Sequence, residues 1–414
     1  MTGLIFQAAT PAEGAIKHFL SADNAQHPAF TAIVQHQALP DPDTPRKALQ
    51  DQTVARLFQS YISDISKWYD LSDAASSFGI VVPTIALDEP LLFCAVIALS
   101  AMHTCKTSAP SFRKIAEFYH YRCLQLLIKL TEGDDLIVRG VALAATCLLR
   151  SYEILDGDVD PNMHLRGAYS MASLHDILSG TLQAGLLGAG FWNYLREDIT
   201  FSLFEECPLK MNLESTPLII QHDSDQGFLN SITLILGKII NMAFGRDPNH
   251  VRLDSLVEML EAWRGTCPDY MKPFSRLDGR TGSSHHFPAT WFLQPSHAAI
   301  LHYYLVALTI ISVHTSPNGI DGLDYLDHIE IEGESTKNIL ETLALEICGI
   351  AFTAKIPSVL VNAFGPIAYC ARFIQAEGLQ QELIRQLQAC KLTIGWPVER
   401  LISDLKASWE MDQN

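Results

Sequence analysis

"FLNSITLILGKIINMAF", Phe228 to Phe244, is apolar nearly all the way round when wound as a helix. Ser231, Leu234, Lys238 and Asn241 fall on one narrow stripe, flanked by Ile232, Ile235, Leu236, Ile239, Ile240 and Met242. A helix hydrophobic on every side is buried among other elements rather than laid over a core. Its one charge, Lys238, then either reaches water along its stem or meets an anion inside the protein.

Outward from this stretch, helix follows helix. "VARLFQSYISDISKWYDL" carries apolar residues at Val54, Leu57, Phe58, Tyr61, Ile62, Ile65, Trp68 and Tyr69, an amphipathic spacing. "DEPLLFCAVIALSAMHTC" opens on acids and Pro90, as helices do. "PSFRKIAEFYHYRCLQLLIKLTE", "LIVRGVALAATCLLRSYEIL", "FWNYLREDITFSLFEEC", "RLDSLVEMLEAWRGTCP" and "HAAILHYYLVALTIISV" follow, then four more toward the C-terminus. Only "GIVVPTIAL" suggests a strand, and it is short and broken by Pro83. The pattern predicts an all-α fold, a single large domain of roughly a dozen helices. Residues 1–52, with the breaker "LPDPDTPRK" and one short helix near Pro11–Leu20, read as an N-terminal tail. Residues 53–414 form the helical domain, for no Gly/Ser-rich or Pro-rich linker divides them.

Of the 414 residues, 48% are hydrophobic and only 18% charged, below the roughly 25% usual in soluble domains. Helices buried on several sides account for that apolar excess. Twenty-nine Lys and Arg against 46 Asp and Glu leave a net charge of −17. Such a surface repels nucleic acid, and no basic block that would neutralise phosphates is present. An anion site here needs a local cation cluster or a metal. The nine cysteines are scattered through apolar patterns such as "LLFCAVIAL", with no CxxC pair, which excludes a zinc ribbon or a six-cysteine zinc cluster. Scatter and odd count fit a reducing compartment. The N-terminus lacks the basic and apolar regions of a signal peptide, and no uncharged run reads as a membrane span. The expected location is the cytoplasm, with neither nucleic acid nor membrane as partner. A homodimer is left open.

The ordered phrases "LFQSYISDISKWYDL", "VVPTIALDEPLLFCAVIALSAMH", "YHYRCLQLLIKL", "LLRSYEILDGD", "HLRGA", "FWNYLREDI" and "FPATWFLQPSHAAILHYYLVAL" resemble the helical regulatory domain of fungal zinc-cluster transcription factors. The resemblance runs from about residue 52 to 400. Those factors place a six-cysteine DNA-binding cluster and a basic linker ahead of this domain, and the sequence carries neither. A copy of the domain without the cluster is also similar to a small group of unconventional fungal terpene cyclases, the humulene synthases of tropolone-sesquiterpenoid pathways. In that group magnesium ions and a lysine hold farnesyl diphosphate, and the lysine lies four residues after a Leu or Met that controls product geometry. "LILGK" places Leu234 and Lys238 at that spacing.

The resemblance to the cyclases implies a class I sesquiterpene cyclase, with Lys238 and Leu234 as catalytic candidates and a prenyl diphosphate as substrate. A fixed ammonium is a strong partner for oxygens that gain charge as the C–O bond ionises. Arg196, Lys238 and Asn241 are the substrate-binding candidates; Arg196 in "FWNYLREDI" has the fork that clamps phosphate. Glu153, Asp156 and Asp158 of "YEILDGDVDP", with Asp198, are the candidate ligands of Mg²⁺, which uses one or two carboxylates plus substrate phosphates. The segment is not the DDxxD of ordinary class I cyclases. Plainer readings stand beside each: a solvated helix end for the acids, an internal ion pair for Arg196 and Asp198, a snorkelling Lys238. His164 and Arg166 read as packing, His285 and His286 as solvated loop. No Ser-His-Asp elbow, phosphate loop or HExxH supports hydrolase, nucleotide or zinc-protease chemistry. The alternative to the cyclase is a regulatory or protein-interaction module, placed in the nucleus, that shares the transcription-factor fold without the DNA reader.

Overall fold

The computed structural model describes residues 39–131, 134–157, 185–213, 222–245, 250–279, 287–314 and 336–411. Among them are fifteen α-helices and two short strands. They group into two compact units. The first gathers the described residues of Met1–Ile65 and Ser77–Phe191, the second those of Ser66–Ser76 and Trp192–Asn414.

In the first unit, α1 (Pro45–Ala48) precedes α2 (Gln52–Ser60), whose first turn is capped by the Asp51 carboxylate accepting from the N–H groups of Thr53 and Val54. The stretch "GIVVPTIAL" is helical: a π turn, Ser77–Val81, leads into α3 (Val82–Ala86), with Pro83 in the first turn, where its missing N–H costs nothing. Next come α4 (Pro90–Thr107), α5 (Arg113–Leu127), α6 (Asp135–Val138) and α7 (Val141–Asp156). Every residue from Leu91 to Met102 of α4 is buried. Helices α2, α3, α5 and α7 pack around it, so α4 needs no polar stripe. Gly140, ahead of α7, has φ +78°, and a Cβ there would lie 2.5 Å from the backbone of Leu187. Only glycine meets both demands. Leu187 lies in α8 (Gly185–Glu205), whose residues from Trp192 onward count with the second unit.

The second unit is built around α11 (Pro295–His314), in which His297 to Ser312 are all buried. Packed on α11 are α9 (Asp225–Ala243), α12 (Thr336–Ala354) and α13 (Pro357–Cys370); α10 (His250–Thr266) leans on α9. Helices α14 (Glu377–Ile394) and α15 (Glu399–Met411) complete the series. Both α4 and α11 are long and apolar enough to cross a membrane, but 72% and 89% of their apolar windows are buried inside the protein. They are the hubs of two helical cores.

Strands β1 (Ser275–Leu277) and β2 (Ala289–Trp291) pair antiparallel, with Ser275 opposite Trp291 and Leu277 opposite Ala289. The sequence shows only a loop and a helix start here, because three residues are too few for an alternation to register. The strand pair seats against α12. A Cβ on Gly349 would approach the Pro288 carbonyl oxygen to 2.2 Å, so a glycine there lets the helix and the strand lead-in touch. The all-helical expectation otherwise holds. Six of the nine cysteines, Cys94, Cys123, Cys147, Cys348, Cys370 and Cys390, are buried as small core residues.

Candidate functional site

Helix α9 presents Lys238 as read from the sequence, half-buried on an otherwise apolar cylinder. Its ammonium Nζ donates to the main-chain carbonyl of Leu213 at 2.7 Å. One turn on, Asn241 Oδ1 accepts from Leu209 N–H at 2.7 Å. From α8, the fully buried Asp198 accepts from Met211 N–H through Oδ2 at 2.9 Å. Three side chains thus hold one short segment, the connection that follows α8.

That segment explains the need. Leu209, Met211 and Leu213 are buried while Asn212 is exposed, an alternation with the two-residue period of extended chain. Extended backbone without a neighbouring strand has N–H and C=O groups that must find other partners once buried. Asp198, Lys238 and Asn241 supply them. Gly237 completes the fit, since a Cβ there would come within 2.7 Å of Leu213 Cδ1 and 3.0 Å of Leu209 Cδ1. Leu234, one turn before Lys238, is buried in the same helix.

A second network lies in the same unit. Arg196, almost wholly buried, donates through Nη1 to Ser72 Oγ at 2.7 Å and through Nη2 to Asn193 Oδ1 at 3.3 Å. Asn193 Nδ2 in turn donates to the Tyr69 carbonyl at 2.9 Å. These two residues, one turn apart on α8, secure the Ser66–Ser76 segment. Burial pushes the nearby Tyr303 phenol up to about 12, and the Arg196 charge opposes that rise.

Glu153 and Asp156 belong to the first unit, at the end of α7. Asp156 pairs with Arg113 Nη2 at 2.8 Å, and its carbonyl accepts from Lys106 Nζ at 3.0 Å, a cation on a helix C-terminus. Glu153 is fully buried, with its Oε1 3.7 Å from His120 Nε2. The His120 ring stacks on Tyr152 at 4.1 Å. Asp158 lies outside the described residues, as do His164, Arg166, His285 and His286.

The acidic side chains do not form a magnesium site among the described residues. Asp156 is engaged by a guanidinium and Asp198 by an amide N–H, and among the described residues no three His, Cys, Asp or Glu side chains gather where they could hold a metal ion.

Two features were missed in the sequence. The alternation Leu209, Met211, Leu213 was legible as extended chain. The other is a polar triad: Asp225, in the first turn of α9, meets His297 Nε2 at 2.7 Å and accepts from the Tyr270 hydroxyl at 2.9 Å. No sequence spacing marks it, for the partners are 72 and 45 residues away.

A family model described as the fungal specific transcription factor domain matches residues 56–312 of this chain. No curated protein and no solved structure matches it.

Proposed function

The chain belongs to the fungal-specific transcription factor domain family, and from that premise we propose that it is a regulatory module that acts by binding other proteins. The family match, which covers more than half of the chain, carries the reading. The side-chain chemistry supports it: Lys238, Asn241 and Asp198 bind the chain's own main-chain groups, as parts of a scaffold do. The net charge of −17 favours protein partners over direct DNA contact. The nucleus is the expected location.

Fusion of the chain to a DNA-binding domain that has no effector of its own tests this reading. A reporter carrying the matching operator should change severalfold when the fusion is expressed in a fungal host. A flat reporter would overturn the proposal.

A second reading keeps one observation in its favour: Leu234 and Lys238 lie one turn apart on an apolar helix, the spacing seen in the humulene synthases. As a cyclase, the chain would convert farnesyl diphosphate to a cyclic hydrocarbon in a magnesium-dependent reaction. Incubation of purified protein with farnesyl diphosphate and Mg²⁺, followed by gas chromatography–mass spectrometry, decides between them. Hydrocarbon that disappears on chelation would establish the cyclase.

A further inference from the structure

Nine large hydrophobic side chains are exposed among the described residues, and five of them lie on or beside the strand pair of the second unit. Phe274, Leu277 and Leu293 are 63%, 59% and 60% exposed, with Tyr270 and Trp291 beside them at 50% and 37%. Single exposed apolar residues are ordinary; a cluster with three aromatic rings on or beside one strand pair marks an interaction site.

The register shows why Leu277 and Trp291 face outward. Arg276 and Thr290 stand opposite each other on the inner face. There Arg276 forks onto Glu346 of α12 at 2.6 Å, and Thr290 is buried. Ser275, Leu277, Ala289 and Trp291 therefore share the outer face.

The edges differ as well. The N–H of Thr290 donates to Thr353 Oγ1 of α12, so the edge of β2 is covered by a helix. In an antiparallel ladder, an N–H turned away from the partner strand marks a pair that exchanges no hydrogen bonds. The N–H and C=O of Arg276 accordingly also turn away from β2, toward the outer edge of β1. The sheet has two strands, and no strand lies on that edge among the described residues.

We propose that the outer edge of β1 and the apolar face beside it take up an extended segment of a partner protein, apolar at alternate positions and flanked by lysine or arginine. Main-chain hydrogen bonds to Arg276 would set the register, and the exposed Leu277 and Trp291 would pack against the alternate side chains, with Phe274 at the start of the strand. Charge argues for the basic flanks and against a second copy of this chain. A copy brings its own −17, while a basic segment is drawn in by it. The exposed carboxylates Asp269 and Asp278 bracket β1; Asp269 meets the exposed Lys272 in a surface ion pair that is easily exchanged, and Asp278 meets Arg276, whose guanidinium also holds Glu346. This inference deepens the interaction-module reading and rests on it for the existence of a partner.

The test uses the whole chain and fluorescein-labelled Lys-Lys-Val-Thr-Val-Thr-Val-Lys-Lys, read by anisotropy. Binding should be at least ~10-fold tighter than for the peptide with Glu in place of Lys, and lost when the central Val is replaced by Pro. The double variant Phe274→Ser/Leu277→Ser should weaken binding by at least ~10-fold without changing Tm, because both side chains already face water. Equal binding by the variant, or by the acidic or Pro-containing peptide, overturns the proposal. So does sedimentation that shows the wild-type chain dimerising through this face. An intact reporter response alongside failed peptide binding would sink the surface and leave the module reading standing.

Discussion

Replacing Lys238 by Met removes the ammonium and keeps a stem of similar length against the apolar helix. The Leu213 carbonyl then loses a charge-assisted hydrogen bond of 2.7 Å. A hydrogen bond to a charged group contributes about 1.5–3 kcal/mol. Because the same segment is held at Leu209 by Asn241 and at Met211 by Asp198, the loss should appear as easier opening of that segment rather than as global unfolding. At about 1.4 kcal/mol per decade, the N–H groups of Leu209 and Met211 should exchange roughly 10–150-fold faster in Lys238→Met. Hydrogen exchange read by mass spectrometry over residues 207–213 measures this directly. Asn241→Ala should act on the same amides, and the double variant should deviate from additivity by about 0.5 kcal/mol or more, since the two side chains hold the same short segment. Unchanged protection in Lys238→Met would refute the clasp. A protein with full protection that lost prenyl turnover would instead support the cyclase role.

Asp198→Asn keeps an acceptor for Met211 N–H, whereas Asp198→Leu strands it, so urea unfolding should show Leu costing about 1–3 kcal/mol more than Asn. Gly349→Ala would drive a Cβ to 2.2 Å from the Pro288 carbonyl oxygen and should destabilise by about 1–3 kcal/mol, seen as a lower Tm. Burial holds the His302 imidazole down to about 4 against an ordinary value of 6.5. The unfolded chain therefore binds the extra proton first as pH falls. The stability from neutral His302 is complete above about pH 6.5 and declines between 6.5 and 4, with a slope of up to about 1.4 kcal/mol per pH unit. Denaturation midpoints should show that decline in the wild type and a flatter one in His302→Leu; identical profiles would sink the assignment.

The helical class was open to reading from the chain because it depends on local periodicity. Runs such as Leu91 to Met102 and His297 to Ser312 are apolar for longer than one buried stripe requires, and so they announce hubs wrapped on all sides. Pro90 and Glu89 mark a helix start with equal clarity. The odd placement of Lys238 was visible too, since one charge among so many aliphatics stands out in any helical projection. Its partner was not. The Leu213 carbonyl lies 25 residues away, and every residue offers such a carbonyl, so no residue type signals which one a lysine will find. The same holds for Asp198 at Met211 and Asn241 at Leu209. The outward face at Leu277 and Trp291 likewise emerged only when β1 and β2 paired, because three-residue strands acquire their sides from the register and from the helix they lean on. Periodicity is a property of neighbours along the chain, which is why the all-α class could be read there. Which polar group meets which backbone group depends on chain closure across many residues, and that is settled only when the helices pack.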